Sequence, residues 1–184
     1  MKKLYYLSLA FIMSIPFIMF KTDIPGNIWM HGKTIIEGGL TEARIELAYD
    51  ELPYSVKRTL QDNDYRIYVV DIIDDNELIV GQTIYGCRLI LIKDRYAGIE
   101  KTFYHECGHV VDDEEAFTFL SSSDEFQEIY EEERYYFKAE GNWEYYISTP
   151  KEYFASAFAE YMLNPERLKE NTPRTYAFID RYIK

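Results

Sequence analysis

Cysteine is scarce in this chain: the 184 residues hold two, Cys87 and Cys107. That excludes a disulfide framework as the source of stability. Six prolines and nine glycines are scattered without repeats or low-complexity linkers, so no internal domain boundary is marked. Positive charge is also short. Lys and Arg number 20 against 32 Asp and Glu, for a formal net charge of −12. A polyanion is a poor partner for such a surface, and nucleic-acid binding is not expected.

Only one apolar run approaches the length of a membrane span, residues 4–20, with Lys2 and Lys3 before it and Lys21 and Asp23 after it. This is the charge order of a bacterial export signal. The run is short for a spanning helix of about 20 residues and contains Pro16, and no small-x-small cleavage site stands after it. Residues 1–25 are therefore expected to be a signal peptide or, if retained, an N-terminal membrane anchor. A core helix is the remaining reading. Removal of Lys2, Lys3 and Lys21 would take the formal charge from −12 to −15. Residues 26–184 are enough for one domain with a proper core, expected to act outside the membrane.

Hydrophobic periodicity lays out an α+β domain. Residues 40–49 and 55–63 read as helices and 65–70 and 83–92 as β-rich strands. The remainder of the chain is mostly helical in pattern, so a small mixed sheet precedes a helical C-terminal half.

The stretch His105-Glu106-Cys107-Gly108-His109 carries the chemistry. Ile99, Phe103, Cys107, Val110 and Val111 recur at helical spacing and form a core stripe, while the two histidines project from another side. Residues four apart on a helix are neighbours, so His105 and His109 can each offer a ring nitrogen to one Zn²⁺ at roughly 2.0–2.1 Å. Glu106 stands beside them, placed to take a proton from a water activated by that ion. A metzincin continuation is excluded, because Asp112 and Glu115 stand where it requires Gly and His. Cys107 points about 160° away from His105 and reads as a core residue, not a ligand. Cys87 lies in an apolar stretch and reads as a second buried thiol, with a Cys87–Cys107 disulfide as the alternative.

A third protein ligand is needed, and Glu152 is the best candidate. It opens a helix whose buried side is Tyr153, Phe154, Ala157, Phe158 and Tyr161 and which ends at Asn164-Pro165. Thr149-Pro150-Lys151-Glu152 also fits a capping box, with Thr149 as N-cap, so cap and ligand remain open on the residues alone. Acidic residues crowd 112–115 and 124–133. They read as a solvated helical face, with attraction of basic peptides to the cleft as the sharper alternative.

The HECGH helix, the run Glu152-Tyr153-Phe154-Ala155-Ser156-Ala157-Phe158, and the tail Glu166-Arg167-Leu168-Lys169 through Thr175-Tyr176-Ala177-Phe178-Ile179-Asp180 to Ile183 resemble the catalytic domain of anthrax lethal factor and its smaller relatives, the secreted Pro-Pro endopeptidases. The resemblance implies a small zincin-like metalloprotease domain with one zinc per chain, held by His105, His109 and Glu152. It implies Glu106 as general base and, seven residues before Glu152, Tyr145 as hydrogen-bond donor to the oxyanion, with Tyr146 the alternative beside it. The implied activity is a secreted, toxin-like zinc endopeptidase, monomeric, acting on an extracellular protein or peptide. In zincins the strand before this helix often binds extended substrate along its edge, and residues 81–86 are the candidate, with a plain interior strand as the alternative. Two departures stand out: Ser156 occupies a place that often holds a second acid, and Lys151 replaces an acid before the ligand. Lys151 leaves Pro-Pro specificity open, and Ser156 alone supports a second reading, a non-catalytic secreted toxin-like or adhesin binding module that retains the fold.

Overall fold

The computed structural model describes residues 40–94, 97–115 and 118–184. The expected export segment, residues 1–25, lies outside the described residues. Among the described residues no helix is long and apolar enough to cross a membrane.

Two helices open the described chain, α1 (Leu40–Glu51) and α2 (Tyr54–Asp62). Ile45 and Ala48 on the first and Val56 and Leu60 on the second are buried, spaced three or four apart so that one face of each helix meets the core. Strand β1 (Arg66–Val70) buries Ile67 and Val69 by simple alternation.

The single strand expected over 83–92 is instead two. Strands β2 (Gly81–Ile84) and β3 (Leu89–Lys93) are joined by a 3-10 turn at Tyr85–Cys87, with Arg88 left-handed at φ 55°. The Arg88 N–H donates to Tyr85 O at 3.2 Å and closes the turn. An apolar run does not distinguish one long strand from two that fold back on each other, and Arg88 is not a residue type that announces a left-handed turn. Strand β2 lies antiparallel to β3, with Thr83 opposite Ile90, and β1 lies parallel to β3, with Ile67 opposite Ile90. Among the described residues the order β1-β3-β2 leaves β2 at an edge, in line with the edge reading of 81–86 and not the interior one. The turn also corrects the reading of Cys87: it is exposed while Cys107 is buried, and both are free thiols.

The motif helix is α3 (Ile99–Asp112), with Ile99, Phe103, Cys107, Val110 and Val111 buried as its stripe requires. A two-stranded hairpin, β4 (Asp113–Glu115) and β5 (Thr118–Phe119), leads to α4 (Asp124–Glu133), α5 (Trp143–Tyr146), α6 (Pro150–Leu163), α7 (Pro165–Asn171) and α8 (Pro173–Ile183). Helix α6 is buried continuously from Tyr153 to Glu160 and packs along α3 as the central helix pair.

The acidic stretches are not one solvated face. Asp112 is 0% exposed and accepts from Ser121 N at 2.6 Å and Ser121 Oγ at 2.8 Å. Asp113 is buried 3.5 Å from Arg88. Glu133 is buried too, accepting from the Arg174 and Thr175 amides, both at 2.9 Å, and from Thr175 Oγ1 at 2.8 Å. It thereby satisfies the free N–H groups that open α8. Three exposed acids of α4 pair with α8: Glu128 and Glu132 with Arg174, and Glu125 with Arg181 at 2.6 Å. Ion pairing between α4 and α8 thus engages Glu125, Glu128 and Glu132.

Candidate active site

The local structure sets the site before any ligand is considered. On α3 the i, i+4 spacing places the His105 and His109 rings 4.7 Å apart, centroid to centroid. On α6, Thr149 Oγ accepts the Glu152 N–H at 3.1 Å and Pro150 fills the first turn. Capping holds the backbone of Glu152, which frees its carboxylate to turn towards α3. There Oε2 lies 3.2 Å from His105 Nε2 and Oε1 lies 3.7 Å from His109 Nε2. The Thr149 cap engages the backbone of Glu152 while the carboxylate faces the two histidines, so the cap does not compete with the ligand reading.

Ligand atoms of His105, His109 and Glu152 all lie within 4.8 Å of one another. Burial pushes His109 down to about 3, so its imidazole is neutral and keeps a lone pair for a cation. Burial raises the Glu152 carboxyl, but His105, His109 and Tyr145 outweigh it, and its pKa lies below the ordinary value. The result is two imidazoles and an ionised carboxylate, the donor set that suits zinc. The buried Glu152 Oε2 and His109 Nδ1 have no hydrogen-bond partner among the described residues. Although His105 Nε2 is close to that oxygen, it does not meet it in hydrogen-bond alignment. A buried carboxylate oxygen without a donor, flanked by two imidazoles, fits a divalent cation.

Other groups surround this cluster. Ser156, one turn along α6 from Glu152 and buried, places Oγ 3.2 Å from His105 Nδ1. The residue that departs from the expected acid thus still meets the histidine. Glu106 is 4% exposed, and burial pushes its carboxyl up to about 7, against the pull of His105 and the Thr83 hydroxyl. Tyr145 and Tyr146 each lie 6.4 Å from the His105 ring, but they face different neighbours. Tyr146 carries the Lys101 ammonium 4.3 Å above its ring and turns its hydroxyl to Gly141. Tyr145 is 48% exposed, and burial of its phenol, then the adjacent Glu152, raises its pKa. The hydroxyl beside the Glu152 carboxylate is that of Tyr145.

Two contacts were beyond the reach of sequence reasoning. Thr83 Oγ1 donates to Glu106 Oε2 at 2.8 Å. Lys151 is held between the rings of Tyr85 and Phe119, its Nζ 4.2 and 4.1 Å from their centroids. The Tyr85 hydroxyl in turn reaches His109 O at 3.4 Å. Both join segments far apart in the chain, and no local pattern marks them.

A three-stranded mixed sheet beside two packed helices, one bearing two histidines and the other a facing glutamate, defines a small α+β zincin-like domain. The chain belongs to the family described as "Anthrax toxin lethal factor, N- and C-terminal domain", which matches residues 89–182. Its fold is similar to that of the PRO-PRO endopeptidase PPEP-2 from Paenibacillus alvei, with a TM-score of 0.63 at 21% identity over 80% of this chain and 95% of that one. No curated protein matches the chain.

Proposed function

We propose that this protein is a zinc-dependent endopeptidase with one metal ion per chain, held by His105, His109 and Glu152. The observation that carries the reading is the convergence of those three side chains within 4.8 Å, beside a buried glutamate on the same helix. Zinc held there would supply Lewis acidity towards a water and a peptide carbonyl.

The chain's own residues perform the proton work. Glu106 takes a proton from the attacking water as its oxygen bonds to the carbonyl carbon. Its carboxyl, raised to about 7 by burial, is poised to accept near neutral pH and to give the same proton to the departing amine nitrogen. The Tyr145 hydroxyl, beside Glu152 on a half-exposed side chain, donates a hydrogen bond to the carbonyl oxygen as negative charge builds there. Its phenol stays protonated under these conditions, because burial and Glu152 hold its pKa up. Ser156 keeps the His105 ring turned so that Nε2 faces Glu152.

Residues 1–25 supply export, so the substrate is an extracellular protein or peptide met by a monomeric domain spanning residues 26–184. The name of the similar Paenibacillus alvei enzyme makes Pro-Pro sequences the first to include among trial substrates. The test is cleavage of a diverse peptide library by zinc-loaded protein and by Glu106→Ala. Zinc-dependent cuts that vanish in the variant are the expected result; equal cutting by both overturns the assignment of Glu106. Binding of one zinc with no cuts would favour the binding-module reading.

A further inference from the structure

The edge strand β2 does more than border the sheet. Thr83 and Gly81 are two apart, so they face the same side, and that side is α3. The Thr83 hydroxyl lies 2.8 Å from Glu106 Oε2 and 3.1 Å from Glu106 O. It has one proton to give, and the carboxylate is the stronger acceptor because its bond is charge-assisted. The other oxygen, Oε1, lies against Gly81: a Cβ there would sit 2.5 Å from Oε1 and 2.6 Å from Thr102 Cγ2. One carboxylate oxygen is thus tied by a hydroxyl, and the other occupies space that only glycine leaves. The strand is itself fixed, paired with β3 from Gly81 to Ile84 and pinned by Gln82 Nε2 donating to Asp74 Oδ2 at 3.0 Å.

We infer that Thr83 is a positioning residue for Glu106, its hydroxyl holding the carboxylate in one orientation against the gap at Gly81. This role rests on the peptidase reading, although the contact itself can be tested without it. An untethered glutamate has several rotamers of comparable energy. A base that must meet one water oxygen and then one amine nitrogen gains from being held in one of them. Strand β2 therefore fixes the orientation of the Glu106 carboxylate.

Thr83→Val keeps the branched shape and strand propensity while removing the hydroxyl; Thr83→Ser keeps the hydroxyl. On a cleaved peptide, Thr83→Val should lose roughly 10- to 100-fold in kcat with KM within about twofold, since the hydroxyl touches the base and not the substrate. Thr83→Ser should recover most of that loss, and zinc stoichiometry should not change in either. A second measurement needs no activity: the unfolding equilibrium of the parent, Thr83→Val, Glu106→Ala and the double variant. A direct hydroxyl–carboxylate bond should make the two substitutions non-additive by about tenfold in the unfolding constant. Full kcat in Thr83→Val, or additivity within about twofold, would overturn the inference. A non-additive cycle in a protein that cleaves nothing would leave the positioning contact standing and refute only the peptidase reading.

Discussion

Ala155 crosses Gly108 so closely that a Cβ at Gly108 would lie 2.8 Å from Ala155 Cα and 3.0 Å from both Ala155 O and Phe158 Cβ. The absent side chain lets α3 and α6 approach until Glu152, one turn before Ala155, reaches the histidines that flank Gly108. Two opposing effects can be weighed. Alanine is worth about 1 kcal/mol more than glycine in a helix interior. Overpacking against backbone atoms that cannot rotate away costs about 1–3 kcal/mol.

Gly108→Ala should therefore destabilise the protein by up to about 2 kcal/mol in urea unfolding, and weaken zinc binding because α6 carries Glu152 outward with it. A more stable Gly108→Ala variant with unchanged zinc affinity would show that the helices have room to spare.

Among the described residues, Ser156 is the partner of His105 Nδ1, at 3.2 Å. Loss of such an outer contact commonly costs 10- to 100-fold in metal affinity, and a neutral hydroxyl belongs at the lower end. Ser156→Ala should weaken zinc binding about tenfold in competition with a chromophoric chelator. No change would mean that packing against α6 alone orients the ring.

Asp112 offers a test that does not involve the metal. Burial pushes its carboxyl up to about 6 in the folded protein, against the Ser121 hydrogen bonds that pull it down. The folded state thus holds the proton more tightly than the unfolded chain, whose value is near 4. Its contribution is most favourable below pH 4 and is lost as pH rises through 6, a change of about 3 kcal/mol. Asn at this position can accept from the Ser121 amide and donate to its hydroxyl without a charge. Stability measured from pH 4 to pH 7 should shift progressively in favour of Asp112→Asn. Parallel curves for the two proteins would contradict the raised value.

Much of this arrangement is legible in the sequence. The HECGH spacing and its apolar stripe specify α3 and its two faces, because both depend only on helix geometry. The Thr149-Pro150 start locates α6, and with it Glu152, by capping chemistry that is likewise local. What stayed hidden depends on partners distant in sequence. Asp112, Asp113 and Glu133 looked like solvated charges, since nothing nearby announces that Ser121, Arg88 and the α8 amides will meet them. The turn at Tyr85–Cys87 rests on a left-handed Arg88, a conformation that residue type does not foretell. Thr83 read only as strand, because its role exists solely where β2 docks on α3.

Whether α3 and α6 together assemble one zinc site is tested by titrating zinc into the metal-free protein and into Glu152→Ala under identical conditions. One tight site per chain is expected in the parent. With a third of the protein ligands removed, affinity should be at least about a hundredfold weaker in a variant that remains folded. Equal affinity in the two proteins would return Glu152 to a helix cap alone and contradict a site shared between the helices.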